Sequence, residues 1–263
     1  ARIISKEHLN EYRQILYGFL LTLLPVLLIM LEPDFGTTLV FWAALIAMLI
    51  AAEVPLFYIL LCISPIVSII SSVWFPAIPI WILILVILLL KAHLSWVAIT
   101  VSGIINVFIA LITPVFWMGL KEYQQNRILT FIDPTRDPLG AGYQIIQAKI
   151  AIGSGSVFGK GWLKGTQKNM KFLPEHHTDF IFSVLGEEFG FVGCILLLLL
   201  FAAFFWRLIH NIGELKVRER KVATAGILVY LMFQTFINIG MNIGLVPATG
   251  IPLPFISYGG SNL

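Results

Sequence analysis

Polar residues along this chain are confined to short interruptions between long apolar runs. The pattern predicts seven membrane-crossing helices, over residues 14–31, 35–52, 55–74, 77–90, 94–117, 180–206 and 222–245. Most of these runs approach the roughly 20 residues needed to cross a hydrocarbon core about 30 Å thick, and the fourth is the shortest. None shows the alternation of a barrel strand, and backbone groups in lipid must be satisfied within their own segment. The fold class is therefore read as all-α, a polytopic transmembrane helical bundle forming a single membrane domain over residues 1–263, with one large loop at 118–179.

Composition sharpens this picture. Hydrophobic residues make up 59% of the chain and charged residues 12%, with a mean hydropathy of +0.93; soluble domains carry about twice that charged share. Cys62 and Cys194 fall inside predicted spans, where a thiol acts as a small packing residue.

Charge then orients the spans. Arg2, Lys6 and Arg13, then Lys91, then Arg207, Lys216, Arg218, Arg220 and Lys221 all fall on one side of a seven-span topology, while the short connections at 32–34 and 75–79 carry no basic residue. The positive-inside rule makes the basic side cytoplasmic and the 118–179 loop extracytoplasmic. That loop holds the remaining basic residues, Lys121, Arg127, Arg136, Lys149, Lys160, Lys164, Lys168 and Lys171. An anionic partner at the outer leaflet is expected, not a nucleic acid; contact with anionic membrane lipids is the plainer alternative. Turn formers at 133–134, 137–140 and 153–159 mark order in the loop, and residues 143–152 read as a short interfacial helix. The glycines at 153–159 would also let backbone N–H groups approach phosphate oxygens.

At the end of the loop, Pro174-Glu-His-His-Thr-Asp stands at the threshold of the run that begins at Phe180. A carboxylate placed there, Asp179, is partly stripped of bulk water, which strengthens it as a proton acceptor. Adjacent His176 and His177 do not share a helical face and lack the spacing of a zinc motif, so a structural or hydrogen-bonding role is expected of them. Glu32 and Asp34 mark the outer end of the first span, next to Pro33 and Gly36, where either a functional buried carboxylate or a solvent-facing one is open. Glu187 and Glu188 lie about two turns into the sixth span and are expected to be paired in the bundle. Asn238 and Asn242 share one helix face, with helix packing the favoured role. The Pro-rich end, 247–258, is expected as irregular backbone at the rim of a polar cavity.

Taken together, Asn126-Arg-Ile-Leu-Thr-Phe-Ile-Asp-Pro, Asp137-Pro-Leu-Gly-Ala-Gly-Tyr-Gln, Gly159-Lys-Gly-Trp-Leu-Lys-Gly-Thr-Gln, Leu173-Pro-Glu-His-His-Thr-Asp-Phe and Pro252-Leu-Pro-Phe-Ile-Ser-Tyr-Gly-Gly-Ser resemble the SEDS (FtsW/RodA/SpoVE) family, the third motif in its RodA form. Glu32-Pro-Asp-Phe-Gly-Thr extends the similarity toward the first half. The resemblance implies a peptidoglycan glycosyltransferase of the bacterial cytoplasmic membrane that polymerises lipid II at the outer face for cell elongation and shape, with a class B penicillin-binding protein as partner. Family members usually carry ten transmembrane helices, so helices are expected to be missing at both ends. Residues 55–74 and 77–90 read as an extra helix pair relative to the family, an insertion that preserves sidedness.

For that chemistry the resemblance implies Asp179 as catalytic base, deprotonating an acceptor hydroxyl in one inverting displacement. The departing diphosphate needs fixed positive charge, for which Lys149, Lys160 and Arg127 stand within the shared motifs. His177 and Thr178, which precede the aspartate in its motif, and Glu32 complete the expected substrate-binding set. A divalent cation, Mg²⁺ or Mn²⁺, fits the same chemistry, but no spacing specifies its ligands; no organic cofactor is expected. The rival readings are a transporter of lipid-linked sugar between leaflets and a noncatalytic scaffold. Clustering of the suggestive residues at one rim argues against transport, and the cationic setting of Asp179 argues against a scaffold.

Overall fold

The structure is a computed structural model, and it describes residues 11–31, 34–72, 77–91, 96–120, 122–133, 141–165 and 178–258. Among these, regular structure is entirely helical: α1 (Glu11–Leu31), α2 (Phe35–Ala51), α3 (Leu56–Ser72), α4 (Ala77–Lys91), α5 (Trp96–Gly119), α6 (Glu122–Ile132), α7 (Ala141–Ser154), α8 (Ile181–Gly213) and α9 (Arg218–Ile243). The seven apolar runs become α1 to α5, α8 and α9. Three described stretches are long and apolar enough to cross a membrane, Ile99–Gly119, Ile181–Gly213 and Arg218–Ile243, and four shorter apolar helices accompany them. Pro25, Pro65 and Pro114 lie inside α1, α3 and α5 without ending them; neighbouring groups in a membrane bundle re-satisfy the carbonyl a proline leaves open.

Within the long loop, the expected helix at 143–152 is α7. The loop's other helix, α6, went unforeseen because its apolar residues, Ile128, Leu129, Phe131 and Ile132, crowd one end of a short, mostly polar stretch.

The chain divides into two compact units, one of Ala1–Ala52 with Asn126–Leu263 and one of Glu53–Gln125. The second unit packs α3, α4 and α5 around Leu85, Leu89 and Ile99. It also buries a neutral polar network. Asn106 Nδ2 donates to Ser64 Oγ at 3.0 Å and to the Ser102 carbonyl at 2.9 Å. Ser68 Oγ donates to Asn106 Oδ1 at 2.7 Å, and Trp81 Nε1 donates to Ser68 Oγ at 2.9 Å.

In the first unit, α9 lies against α2 through Val40, Ile237 and Ile251, and against α8 through Phe201, Phe205, Leu228 and Leu253. Asp34 caps α2, accepting from the Thr37 N–H at 3.0 Å. Gly244 takes φ 77° to close α9, and the Leu245 N–H donates to the Gly240 carbonyl at 2.7 Å. That left-handed turn favours glycine and satisfies carbonyls the helix leaves open.

The longest helix, α8, is broken at Gly190, whose φ of 66° and ψ of −162° are not helical. A break frees two N–H groups and two carbonyls from the helix ladder, and in lipid each needs a partner. The loop after α7 supplies all four. Lys160 N–H donates to the Glu187 carbonyl and Gly161 N–H to the Glu188 carbonyl, both at 3.0 Å, while Phe191 N–H donates to the Ser156 carbonyl at 2.9 Å and Val192 N–H to the Val157 carbonyl at 3.1 Å. The approach is so close that a Cβ on Gly159 would overlap the Glu188 carbonyl.

Candidate active site

Asp179 lies in the turn at 178–180 that opens α8. Phe180, 2% exposed, anchors the turn against Ala148 and Ala151 of α7. The main chain of Asp179 is held from α9, where Asn238 and Asn242 stand one turn apart and fully buried. Asn238 Nδ2 donates to the Asp179 carbonyl at 2.9 Å and to the Ile251 carbonyl at 2.7 Å. Asn242 Nδ2 donates to the same Asp179 carbonyl at 3.1 Å and to the Asn238 carbonyl at 2.8 Å. Its Oδ1 accepts from the Ser183 N–H at 3.1 Å and from the Ser183 hydroxyl.

A second clamp holds the preceding residue. Ser257 Oγ donates to the Thr178 carbonyl at 2.6 Å and accepts from the Leu253 N–H at 2.7 Å. Both clamps fasten irregular backbone, which would otherwise carry unmet carbonyls away from bulk water. They also bring the Pro-rich segment onto the acid: a Cβ on Gly250, at φ 73°, would stand 3.5 Å from Asp179 Oδ2. The expected irregular end of the chain thus flanks the carboxylate, which remains partly exposed.

Positive charge reaches the same end of α9. Lys149 of α7 is exposed, and its Cε and Nζ occupy the space a Cβ on Gly244 would need. An ammonium beside the final turn of a helix faces its negative pole, a favourable placement that leaves the charge available to an anion.

Lys160 is arranged differently. Its Nζ lies 2.7 Å from Glu187 Oε1, with Glu187 fully buried and the lysine side chain 29% exposed. This is the pairing expected for Glu187. The expectation that the glycine-rich turn offers N–H groups to phosphate is corrected here: the Gly159 N–H donates to the Gly155 carbonyl at 2.7 Å, and those of Lys160 and Gly161 close the α8 break. These donors are used to make a broken helix stable.

With this geometry in place, the chain can be set beside known proteins. The model of the FtsW/RodA/SpoVE family, described as cell cycle protein, matches residues 76–263. The chain belongs to the FtsW/RodA/SpoVE family. It is 46% identical over 176 residues to the peptidoglycan glycosyltransferase MrdB of Escherichia coli K12, covering 66% of this chain and 47% of that relative. Similarity to the peptidoglycan glycosyltransferase RodA of Treponema pallidum runs over 277 residues at 32% identity, covering 92% and 63% of the two chains. A solved structure concerned with coordination of polymerization and crosslinking by a peptidoglycan synthase complex superimposes with a TM-score of 0.65 and 27% identity, over 100% of this chain and 61% of that one. The chain spans between about half and two thirds of the length of these relatives. Family membership and apolar helices together make it an integral membrane protein.

For this FtsW/RodA/SpoVE member, the structure brings Asp179, Thr178 and Lys149 to one end of α9 and sets Lys160 on the α8 break. Arg127 lies on α6, with its side chain outside the described ones. Glu32 and His177 lie outside the described residues. Asp34, singled out with Glu32, serves as the α2 cap. Asn238 and Asn242 were read as helix-packing residues; through Ser183 they are, but their reach to the Asp179 carbonyl was not legible. Ser183, Gly250 and Ser257 were missed as well. The only sequence signal for the last two was their place in or beside the Pro252–Ser261 motif.

Proposed function

We propose that this protein is a glycosyltransferase that polymerises lipid II into glycan strands at the outer face of the bacterial cytoplasmic membrane, in the service of cell elongation and shape. The observation that carries the proposal is the clamping of the Thr178-Asp179 backbone by Asn238, Asn242 and Ser257, which leaves a carboxylate beside Gly250 at a helix threshold. Ordering a base costs entropy that fixed main-chain bonds absorb before substrate arrives. The bacterial relatives, peptidoglycan glycosyltransferases, support the same reading.

In the proposed step, an Asp179 carboxylate oxygen takes the proton of the acceptor sugar hydroxyl as the hydroxyl oxygen attacks the anomeric carbon of the second lipid II. The carbon–oxygen bond to the diphosphate breaks with its electron pair leaving on undecaprenyl diphosphate, and the centre inverts. Lys149 faces the growing negative charge, with Arg127 as a second cation. Lys160, already balanced by Glu187, acts by holding the loop on α8 and contributes its field from there. His177, Thr178 and Glu32 are assigned to the sugar and headgroup. Mg²⁺ or Mn²⁺ would add positive charge on the diphosphate. Among the described residues no three His, Cys, Asp or Glu side chains converge to hold one, so no step is routed through it.

The structural relative points to a partner that crosslinks the polymer, which for this family member would be a class B penicillin-binding protein. The proposal is tested with full-length protein in lipid II vesicles, alone and with that partner. Glycan polymer is expected; transbilayer movement of lipid II with no polymer under either condition would replace the enzyme by a transporter.

A further inference from the structure

The stretch after α7, residues 155–165, turns its largest side chains outward. Val157 is 52% exposed, Phe158 82%, Trp162 67% and Leu163 58%. Ser156 and Leu163 hold positive φ, 50° and 61°, which non-glycine residues adopt at a cost that the surroundings must impose. The bonds across the α8 break impose it, because Ser156, Val157, Lys160 and Gly161 all contribute to them.

These outward residues continue a lipid-facing surface. The Trp162 ring lies 5.5 Å from that of Phe189 on α8, and Phe191 and Val192 beside it are 63% and 50% exposed. All three belong to a helix long and apolar enough to span a membrane.

Depth follows from the helix rise. At its other end α8 presents exposed Trp206 and then Arg207, the pairing of indole and cation found where a span meets water. Counting back about 20 residues, or about 30 Å of helix, consumes the hydrocarbon core and ends near Glu187. The loop, bonded to Glu187, Glu188, Phe191 and Val192, therefore lies at the opposite boundary of the core. Asp179 stands above it, beyond the helical stretch from Ile181 to Glu187, about 9 Å at 1.5 Å per residue.

We propose that residues 157–163 insert into the interfacial layer of the leaflet on the Asp179 side, where the headgroups meet the acyl chains, and so fix the height of Asp179 above the hydrocarbon. The partner is the phospholipid boundary itself. Phe158 and Leu163 enter the acyl region, Trp162 sits at headgroup level, and exposed Lys164 extends toward the phosphates.

The test uses the full-length protein in phosphatidylcholine–phosphatidylglycerol vesicles, with Cys62 and Cys194 replaced by alanine and a nitroxide attached at Phe158→Cys. Collisions with oxygen should exceed those with a water-soluble nickel chelate, as at a lipid-facing reference, Leu199→Cys, and unlike a water-facing one, Glu214→Cys. Nickel contact equal to that at Glu214, or shielding from both reagents by covering protein, would overturn the proposal. If the labelled variant does not fold, Trp162 reports instead. Lipids brominated near the headgroup end of the chain should quench an emission component that Trp162→Phe removes, and quenching of that component by aqueous iodide alone would count against insertion.

Discussion

Buried asparagines occur in both compact units, and they are used for opposite purposes. In the unit formed by α3, α4 and α5, Asn106 bonds to Ser64, Ser68 and Ser102, so the amide joins one regular helix to another. In the other unit, Asn238 and Asn242 bond to the carbonyls of Asp179 and Ile251, which belong to turns and irregular backbone. The first arrangement adds to helices that would exist without it. The second satisfies carbonyls of irregular backbone that is buried away from bulk water. The same unit also buries charge, in the Lys160–Glu187 pair, where the α3–α5 network is neutral. Polar groups there support backbone that a bundle alone cannot hold, and the candidate base stands on that backbone.

The comparison can be broken most forcibly at the charged pair. Glu187→Ala removes the carboxylate 2.7 Å from the Lys160 ammonium at the α8 break and should lower stability by about 3 kcal/mol, with Glu187→Gln milder. Thermal melting in detergent checks this, and an unchanged midpoint would mean that charge is not what secures the loop.

A smaller loss is expected from Asn238→Ala, about 2 kcal/mol from carbonyls deprived of a donor. Release of the Asp179 backbone should reduce kcat by roughly ten- to a hundredfold while KM for lipid II holds, as misplacement of a reacting group does. Equal loss in both parameters would make Asn238 a packing residue only.

Gly244→Ala places a side chain where Lys149 lies and forces alanine to positive φ, at about 1 kcal/mol. Displacing that ammonium should lower kcat severalfold with a modest change in KM; an unaltered kcat would remove Lys149 from the departing diphosphate. Least of all, Asn106→Ala should cost about 0.6 kcal/mol, the average for interhelical polar contacts in a membrane, and leave turnover unchanged. A fall in kcat per folded molecule would erase the distinction between the two units.

What could be read in the sequence follows the range of the interactions involved. Seven apolar runs announced seven helices because burial in lipid acts on every residue of a run, and Pro25, Pro65 and Pro114 did not disguise them. The face shared by Asn238 and Asn242 was visible from their spacing, since four residues make about one turn. Their target was not, because Asp179 is 59 residues from Asn238 in sequence. Lys160 stood out as a cation in a shared motif, yet its partner Glu187 is 27 residues away, and the broken ladder that unites them depends on one glycine conformation at residue 190. Gly250 carried no signal beyond its place in the Pro-rich segment at 247–258; its importance is the closeness of a carboxylate that only the folded chain brings there.

The most direct measurement is the rate of glycan polymerisation by the purified full-length Asp179→Asn protein together with its crosslinking partner. The amide matches the carboxylate in shape and leaves every bond to the Asp179 carbonyl in place, so melting should be unaltered while the rate falls by about a hundred- to ten-thousandfold, the reach of a general base. Polymer formed at close to the unsubstituted rate would contradict the account.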